Sequence, residues 1–341
     1  MAVIKDVANL AGLSVSVVSK YLKNPDRVRD DTRRRVERAI RELNYKPSTA
    51  ARALRTGLSG MISVISPNIT NPFFAELFDI IQTNAASRGY TAILQTMNTA
   101  GDTGSVVSET FAVSSVSRVD GIIVCFPDDE TVIPFLQKQW GDLPVVLLTW
   151  KPLDSCVPSC VLMNVEKGIY TTTRHLLSLG HRNIGYVAAP GTSITSKEKY
   201  KGFLRALREQ RITVLPEHVF HGPYGMDTGY QAARTFLKSD TPPTAIVTEN
   251  DIFAIGCIKY CHKKKIRVPD DMAVTGFDDI PMAAMYEPPI TTLRPSLSEM
   301  GEAAVKKLCH LITDDKVTEN PVFEAALIVR RSTDHSFVEE P

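Results

Sequence analysis

The chain lacks any apolar run approaching the roughly 20 residues that a membrane-spanning helix needs, so no membrane partner is expected. Its N-terminus lacks the basic, apolar and cleavage regions of a secretory signal, which places the expected location in the cytoplasm. Cysteine is sparse, six in 341 residues, and a reducing compartment would keep those thiols unpaired. Cys257, Cys261 and His262 stand close together but have no partners at zinc-finger spacing. Buried structural thiols are therefore expected there rather than a metal centre. No Walker loop, GxSxG elbow, HExxH pair or glycine-rich dinucleotide fingerprint occurs, and His175, His181 and His221 are scattered away from any nucleophile in a telling context. An enzyme is not expected, nor a cofactor or a metal. Net charge is also nearly absent, at +1.

That near-neutrality conceals an asymmetry. Residues 1–57 hold 13 Lys and Arg against 6 Asp and Glu, a net +7, which leaves −6 on the remainder. A basic head on an acidic body points to a polyanion as the partner of the head alone. Within the head, Ile4 to Leu22 (IKDVANLAGLSVSVVSKYL) predicts two short helices and a tight turn. Ile4, Val7, Ala8 and Ala11 recur at helical spacing. Gly12 is a C-terminal stop and Ser14 a cap for the second helix. Val17, Val18 and Leu22 turn inward, which leaves Val15, Ser16, Ser19 and Lys20 outside. A lean outer face ending in a cation can enter a DNA major groove, where a bulky acidic one could not.

The loop Lys23 to Arg29 follows, broken by Asn24-Pro25, and then a third helix over Thr32 to Leu43 capped by Asp30 or Asp31. Val36, Ala39, Ile40 and Leu43 form its apolar stripe, and Arg33, Arg34, Arg35, Arg38 and Arg41 its other face. Only cations near the loop, Arg27 among them, are placed for phosphate. After Pro47 a short segment, STAARALRTG, is below the ~12 residues at which isolated helices become marginal. Pairing with its copy in a second subunit, on DNA, would order it. From Leu58 onward, apolar strands alternate with helices of 10–15 residues, and the alternation restarts near Cys160. Two α/β lobes with parallel sheets follow, and the cleft between them is the natural ligand site.

IKDVANLAGLSVSVVSK, VRDDTRRRVERAIRELNYKPSTAARALRTG, NPFFAEL, LLSLGHRNIGYVA, GFLRAL, PTAIVTENDIFAIG, IRVPDDMAVTGFDDI and the TTLRPS segment stand in this order along nearly the whole chain. In these blocks the chain resembles the LacI family of bacterial transcription repressors. The resemblance implies a three-helix helix-turn-helix domain over 1–46, a hinge helix over 47–57, and an effector body over 58–341 that is similar to periplasmic binding proteins. It implies an N-lobe of about 58–159 with 290–320, and a C-lobe of about 160–289 with 321–331, joined by three crossovers. It implies a DNA-binding set of Ser14, Val15, Ser16, Ser19, Lys20, Arg27, Ala51 and Leu54. In that set Val15, Ser16 and Lys20 meet base edges, Ser14 and Ser19 meet phosphates, and Leu54 wedges into the minor groove beside Ala51. The partners implied are double-stranded operator DNA of near-palindromic sequence, a second copy of the chain, and a small-molecule effector, a carbohydrate or related metabolite. No leucine heptad tail follows Arg331, which favours a dimer.

Family positions for the effector fall on Phe73, Phe74, Trp150, Lys199, Tyr224, Asn250, Asp251 and Asp278. Aromatic faces and carboxylates of this kind suit a polar ring. Asp251 is also placed as a simple helix cap before IFAIG. Three positions depart from the pattern of sugar-binding members: Thr149-Trp150 stands for Asp-Arg, Met163 for an Asp before Asn164, and Lys199 for an Arg. A plain hexose is thereby less favoured. A phosphorylated or acidic sugar held by Lys197 and Lys199, a nucleoside stacked on Phe73 and Trp150, and loss of the small-molecule role altogether all stay open. In the head, Lys20 stands where most members have Arg, which predicts a less strict base preference because Lys lacks the bidentate fork.

Overall fold

The computed structural model describes residues 2–23, 27–45, 57–67, 69–96, 119–127, 143–150, 159–191, 193–314 and 319–334. The expected hinge, with Ala51 and Leu54, and a helix expected over Thr103 to Ser115 lie outside the described residues, save Gly57. The chain divides into two compact units, Met1–Gly60 and Met61–Pro341.

The first unit holds three helices, α1 (Ile4–Ala11), α2 (Val15–Lys23) and α3 (Asp30–Glu42). Gly12 ends α1 with a left-handed backbone, φ +63°, and the Leu13 N–H returns to Ala8 O. That geometry costs glycine nothing. Val7, Ala8, Ala11, Val18, Val36, Ala39 and Tyr45 close a core of their own. Helix α3 starts two residues earlier than the sequence pattern predicts, at Asp30 behind an N-cap of Arg29. Asp30 and Asp31 therefore sit in its first turn, where they complement the helix dipole instead of capping it.

In the second unit, β1 (Met61–Ser66), β2 (Thr91–Thr96), β3 (Gly121–Cys125), β4 (Val145–Thr149), β5 (Cys160–Met163) and a short late strand, β11 (Val322–Phe323), form one parallel sheet in the order β11-β5-β4-β3-β1-β2. A second parallel sheet, ordered β7-β6-β8-β9, is built from β6 (Ile184–Ala188), β7 (Val219–His221), β8 (Ala245–Thr248) and β9 (Ala273–Thr275). Helices α4 (Pro72–Ser87), α6 (Ile194–Glu209), α7 (Met226–Phe236) and α8 (Asp251–Lys263) supply crossovers that parallel pairing requires, and α5 (Val165–Ser178) carries the chain from the first sheet to the second. After the five-residue α9 (Pro281–Met285), β10 (Thr292–Pro295) pairs antiparallel with β12 (Ala325–Ile328). Between them α10 (Leu297–Ile312) lies on the first lobe. Its Leu308 is so close to Gly121 that a Cβ there would fall 2.7 Å from Leu308 Cδ1.

The expected lobe limits need correction. Cys160–Met163 is not the first strand of the second lobe. It pairs with β4, Leu148 opposite Val161, and takes β11 as its outer neighbour, Leu162 opposite Val322. The first lobe therefore runs to Met163 and reclaims Val322–Phe323, and the boundaries at 159/160 and 320/321 both move. A four-residue apolar run reads the same in either sheet, and only its partner decides which one it joins. The chain then passes between the lobes three times: after Met163, around Thr291–Thr292, and between Ile328 and Ser332, where Ser332 Oγ donates to Val274 O at 2.6 Å.

Small residues let the helices of the second lobe touch backbone to backbone. A Cβ on Gly202 of α6 would lie 2.1 Å from Glu166 O of α5. One on Gly229 of α7 would lie 1.9 Å from Phe253 O of α8, and one on Gly256 of α8 would lie 2.0 Å from Met226 O of α7. These contacts set the depth at which the helices seat on the sheet and so the position of every strand-end loop.

Candidate functional site

In the first unit, α2 turns Val18 fully inward and leaves Val15 42% exposed, with Ser14, Ser16 and Lys20 also exposed and Ser19 half-buried. No acidic residue lies on α2. Ser14 Oγ and Ser16 Oγ share a hydrogen bond of 2.8 Å, so the two hydroxyls act as one polar patch at the start of the helix. Arg27 is exposed in the loop before α3. Arg35, expected on the solvated face of α3, points inward instead. Its Nε donates to Ala11 O and its Nη2 to Gly12 O, each at 3.0 Å. A guanidinium thus closes the turn between α1 and α2 and holds the angle at which α2 is presented.

In the second unit, side chains gather where the strands of both lobes end. On the first lobe, Phe73 is buried at the start of α4, edge-on to the half-buried Phe74 with ring centroids 5.0 Å apart. Phe126, one residue beyond β3 and at φ +45°, stacks on Trp150 at 3.9 Å and tilts toward Phe73 at 5.7 Å. A left-handed backbone at a bulky residue is a strained arrangement of the kind that concentrates at binding sites. The Trp150 indole N–H is buried and has no hydrogen-bond partner among the described residues. A buried donor left unpaired is costly, and an acceptor on a bound molecule would relieve it.

On the second lobe, Asn250 caps α8 by accepting from Phe253 N at 2.8 Å. Asp251, expected among the ligand contacts, has no exposed surface. Thr292 Oγ1 donates to one carboxylate oxygen and the Ile280 N–H to the other, and its own N–H reaches Phe277 O at 2.8 Å. It ties α8 to the loop after β9 and to β10, and offers nothing outward. Burial, and then the charge of Asp278, push its carboxyl well above the ordinary range. Lys199 is also buried. Its ammonium donates to Glu249 O at 2.6 Å and sits 3.9 Å from the centre of the Phe277 ring. Glu249, which no sequence pattern singled out, is buried beside it and accepts from Tyr186 Oη, Ser196 Oγ and Ala189 N. Tyr224 remains partly exposed, and burial and the charges of Asp278 and Asp251 raise its hydroxyl pKa.

Asp278 stands at the centre, at φ +108°, with its N–H on Leu293 O at 3.0 Å. Burial lifts its carboxyl to about 6, against the opposing pull of Lys199 and of a hydrogen bond from Asn71. That bond, Asn71 Nδ2 to Asp278 Oδ2 at 3.0 Å, joins the aromatic cluster of one lobe to the acidic cluster of the other. Thus Phe73, Phe74 and Trp150 come together around the unforeseen Phe126, and Lys199 and Tyr224 come together around Asp278, with the unforeseen Glu249 beside Lys199. Asn71 opens the NPFFAEL block and Phe126 follows β3, but neither position is marked by its sequence pattern as part of the site.

A pH dependence follows from Asp278. Its folded pKa of about 6 lies above the ordinary carboxyl value, so its contribution to stability is complete below pH ~4 and is lost as pH rises through 6. Asp278→Asn keeps an acceptor for Asn71 and cannot ionise. The stability of this variant relative to the unsubstituted chain is expected to rise by about 2 kcal/mol between pH 4 and pH 8, somewhat under the full 1.36 kcal/mol per unit because the carboxyl keeps some solvent. Urea unfolding at the two pH values measures it, and a difference independent of pH would refute it.

The model of the bacterial regulatory proteins of the lacI family matches residues 3–48, and that of the periplasmic binding protein-like domain matches residues 173–333. The chain is similar to the HTH-type transcriptional repressor PurR of Mannheimia succiniciproducens, 33% identical over 333 residues, 97% of this chain and 98% of that one. It is 34% identical over 337 residues to the PurR repressor of Photobacterium profundum, with the same coverage. Among solved structures, the lac repressor dimer bound to operator and the anti-inducer ONPF superposes with a TM-score of 0.85 at 25% identity, covering 97% of this chain and 99% of that one. The complex of the transcriptional regulator CelR with cellobiose gives 0.72 at 25% identity, covering 97% and 100%.

Proposed function

Because the chain belongs to the LacI family of bacterial regulatory proteins, we propose that it is a dimeric, sequence-specific DNA-binding repressor whose operator affinity is set by a small polar ligand between the lobes of its body. The curated relatives it matches are transcriptional repressors. A non-enzymatic role in the cytoplasm follows, and no described helix is long and apolar enough to cross a membrane. The observation that carries this reading is the outer face of α2, exposed at Ser14, Val15, Ser16 and Lys20 and free of acidic side chains. Val15 supplies a methyl surface for thymine, Lys20 a cation for guanine, and the serine pair hydroxyls for phosphate. Arg27 adds a phosphate contact, and Ala51 and Leu54 belong to the hinge that completes the interface.

The effector contacts proposed are Phe73, Phe74, Trp150, Tyr224, Asn250 and Asp278, with Lys199 as their neighbour. The chemistry favours a neutral ring bearing hydrogen-bond donors, a sugar or a nucleoside, over a sugar phosphate. Lys199 is already committed to Glu249 O and the Phe277 ring, Lys197 is exposed on α6, and the acid group left partly open at the site is Asp278. An added anion would be repelled there.

Selection from a random duplex library with the full-length protein tests the DNA reading. Enrichment of an inverted repeat, with affinity falling steeply as salt rises, is the expected outcome. A library that shows no enrichment at low salt would refute it.

A further inference from the structure

Asn71 is held at both ends of its amide. Its Oδ1 accepts from Phe73 N at 3.1 Å and caps α4, while its Nδ2 donates to Asp278 Oδ2 across the two lobes at 3.0 Å. The cap fixes which way the amide faces, since only the oxygen can accept from a backbone N–H. Once α4 is capped, the NH2 group must point toward the second lobe. Pro72 at the first helical position adds to that rigidity. Asp278 is equally constrained. Its backbone is left-handed, its N–H is held by Leu293 O, and Lys199, Tyr224 and Asp251 surround it from α6, the loop before α7, and α8. The next residue, Asp279, also left-handed, grips Arg294 of β10 and Arg330 beyond β12, the two returning strands that join the lobes.

We propose that Asn71 is a built-in competitor of the effector: its amide closes the unliganded cleft on Asp278, and a ligand takes the site only by presenting a hydrogen-bond donor that displaces it. This rests on the effector reading above and adds a specificity rule to it. A ring with a hydroxyl or amine directed at Asp278 replaces the lost bond. A phosphate or carboxylate offers only acceptors there: it can accept from the Asn71 amide but leaves the Asp278 carboxylate without a donor and facing a second negative charge, and is excluded. Displacement of Asn71 also frees the Asp278–Asp279 pair from the first lobe at the point where Asp279 holds both returning strands, so occupancy bears directly on the hinge between the lobes.

Asn71→Ser and Asn71→Asp separate the two duties of the residue, because both side chains can cap α4 and neither can donate to the Asp278 carboxylate as the amide does. Small-angle scattering of the full-length, ligand-free protein is the first readout. Both variants are expected to show a larger radius of gyration than the unsubstituted chain, and Asp278→Asn, which keeps an acceptor, is not. Urea unfolding confirms that each variant is folded. Identical scattering for a folded Asn71→Ser and the unsubstituted chain would overturn the proposal. The second readout is a thermal-shift panel of free hexoses, disaccharides, nucleosides and hexose phosphates. A compound that binds the unsubstituted chain is expected to bind Asn71→Ser about tenfold more tightly, and hexose phosphates are expected to bind neither. Weaker binding to Asn71→Ser would make the amide a ligand contact and overturn the proposal. If no compound shifts either protein, the effector reading fails, and the scattering result still decides the interlobe bond.

Discussion

A chain lacking residues 1–57 is expected to bind the selected operator at least about a thousandfold more weakly than the full-length protein, which is the smallest usual gap between specific and non-specific binding. The physical basis is the split in charge. The head carries +7 and the body −6, so truncation removes the cationic surface and leaves one that repels phosphate. Fluorescence anisotropy with a labelled operator duplex measures the loss, and thermal unfolding confirms that the body, a compact unit with its own core, is intact. Lys20→Ala in the full chain is expected to cost about tenfold and to relax the preference at one base pair in each half-site, since one cationic head is removed from each recognition helix. Operator affinity preserved in the truncated chain would move recognition to the body and end the reading of α2 given above.

Asp251→Ala is expected to destabilise the body by about 3–5 kcal/mol. The side chain has no exposed surface and receives Ile280 N–H and Thr292 Oγ1. Its removal leaves two buried donors unpaired, each costing roughly 1–3 kcal/mol, at the point where α8, the loop after β9 and β10 meet. The room is also fitted to this group, since a Cβ on Gly276 would stand only 2.0 Å from Asp251 Oδ1. Asp251→Asn separates charge from hydrogen bonding. Its oxygen still accepts from Ile280, and its NH2 can donate to the Thr292 hydroxyl. The native carboxyl is raised above its ordinary value by burial and by Asp278, so the stability it contributes is greatest at acid pH and declines as pH rises. The Asn variant should therefore approach or exceed the native stability at pH 8, and the Ala variant should not. Denaturant unfolding at pH 5 and pH 8 distinguishes them. Equal stability of the Ala variant and the native chain would show that the network around Asp251 carries no load.

Asn250-Asp251 shows why the site was only half legible. Two adjacent polar residues before an apolar helix announce a cap, but the pattern leaves open which one caps and which one faces a ligand. In the structure Asn250 caps and Asp251 turns into the protein, because only there do the Ile280 N–H and the Thr292 hydroxyl converge on it. Arg35 is the counterpart in the head. It sits among five arginines of one helix, and nothing local marks it as the one that reaches Ala11 O and Gly12 O, 24 and 23 residues away in sequence. Glu249, Phe126 and Asn71 were missed for a related reason. Each is a single residue at the end of an element, and its role is defined by partners up to 207 residues away.

By itself the sequence determined what depends on nearest neighbours and on sums along the chain. The helical periods of the head, the glycine turn, the lean face ending in Lys20, the basic head on an acidic body, and the strand–helix alternation of two parallel-sheet lobes are all of this kind. Local dihedral preference and one-dimensional patterning are sufficient for these. Tertiary structure alone decided which sheet Cys160–Met163 joins, that Arg35 braces a turn while Asp251 and Lys199 are engaged internally, and that Asn71 of one lobe meets Asp278 of the other. Those outcomes are set by burial and by hydrogen-bond partners far apart in sequence, where desolvation decides whether a charged group is free to meet a ligand or must be satisfied within the protein.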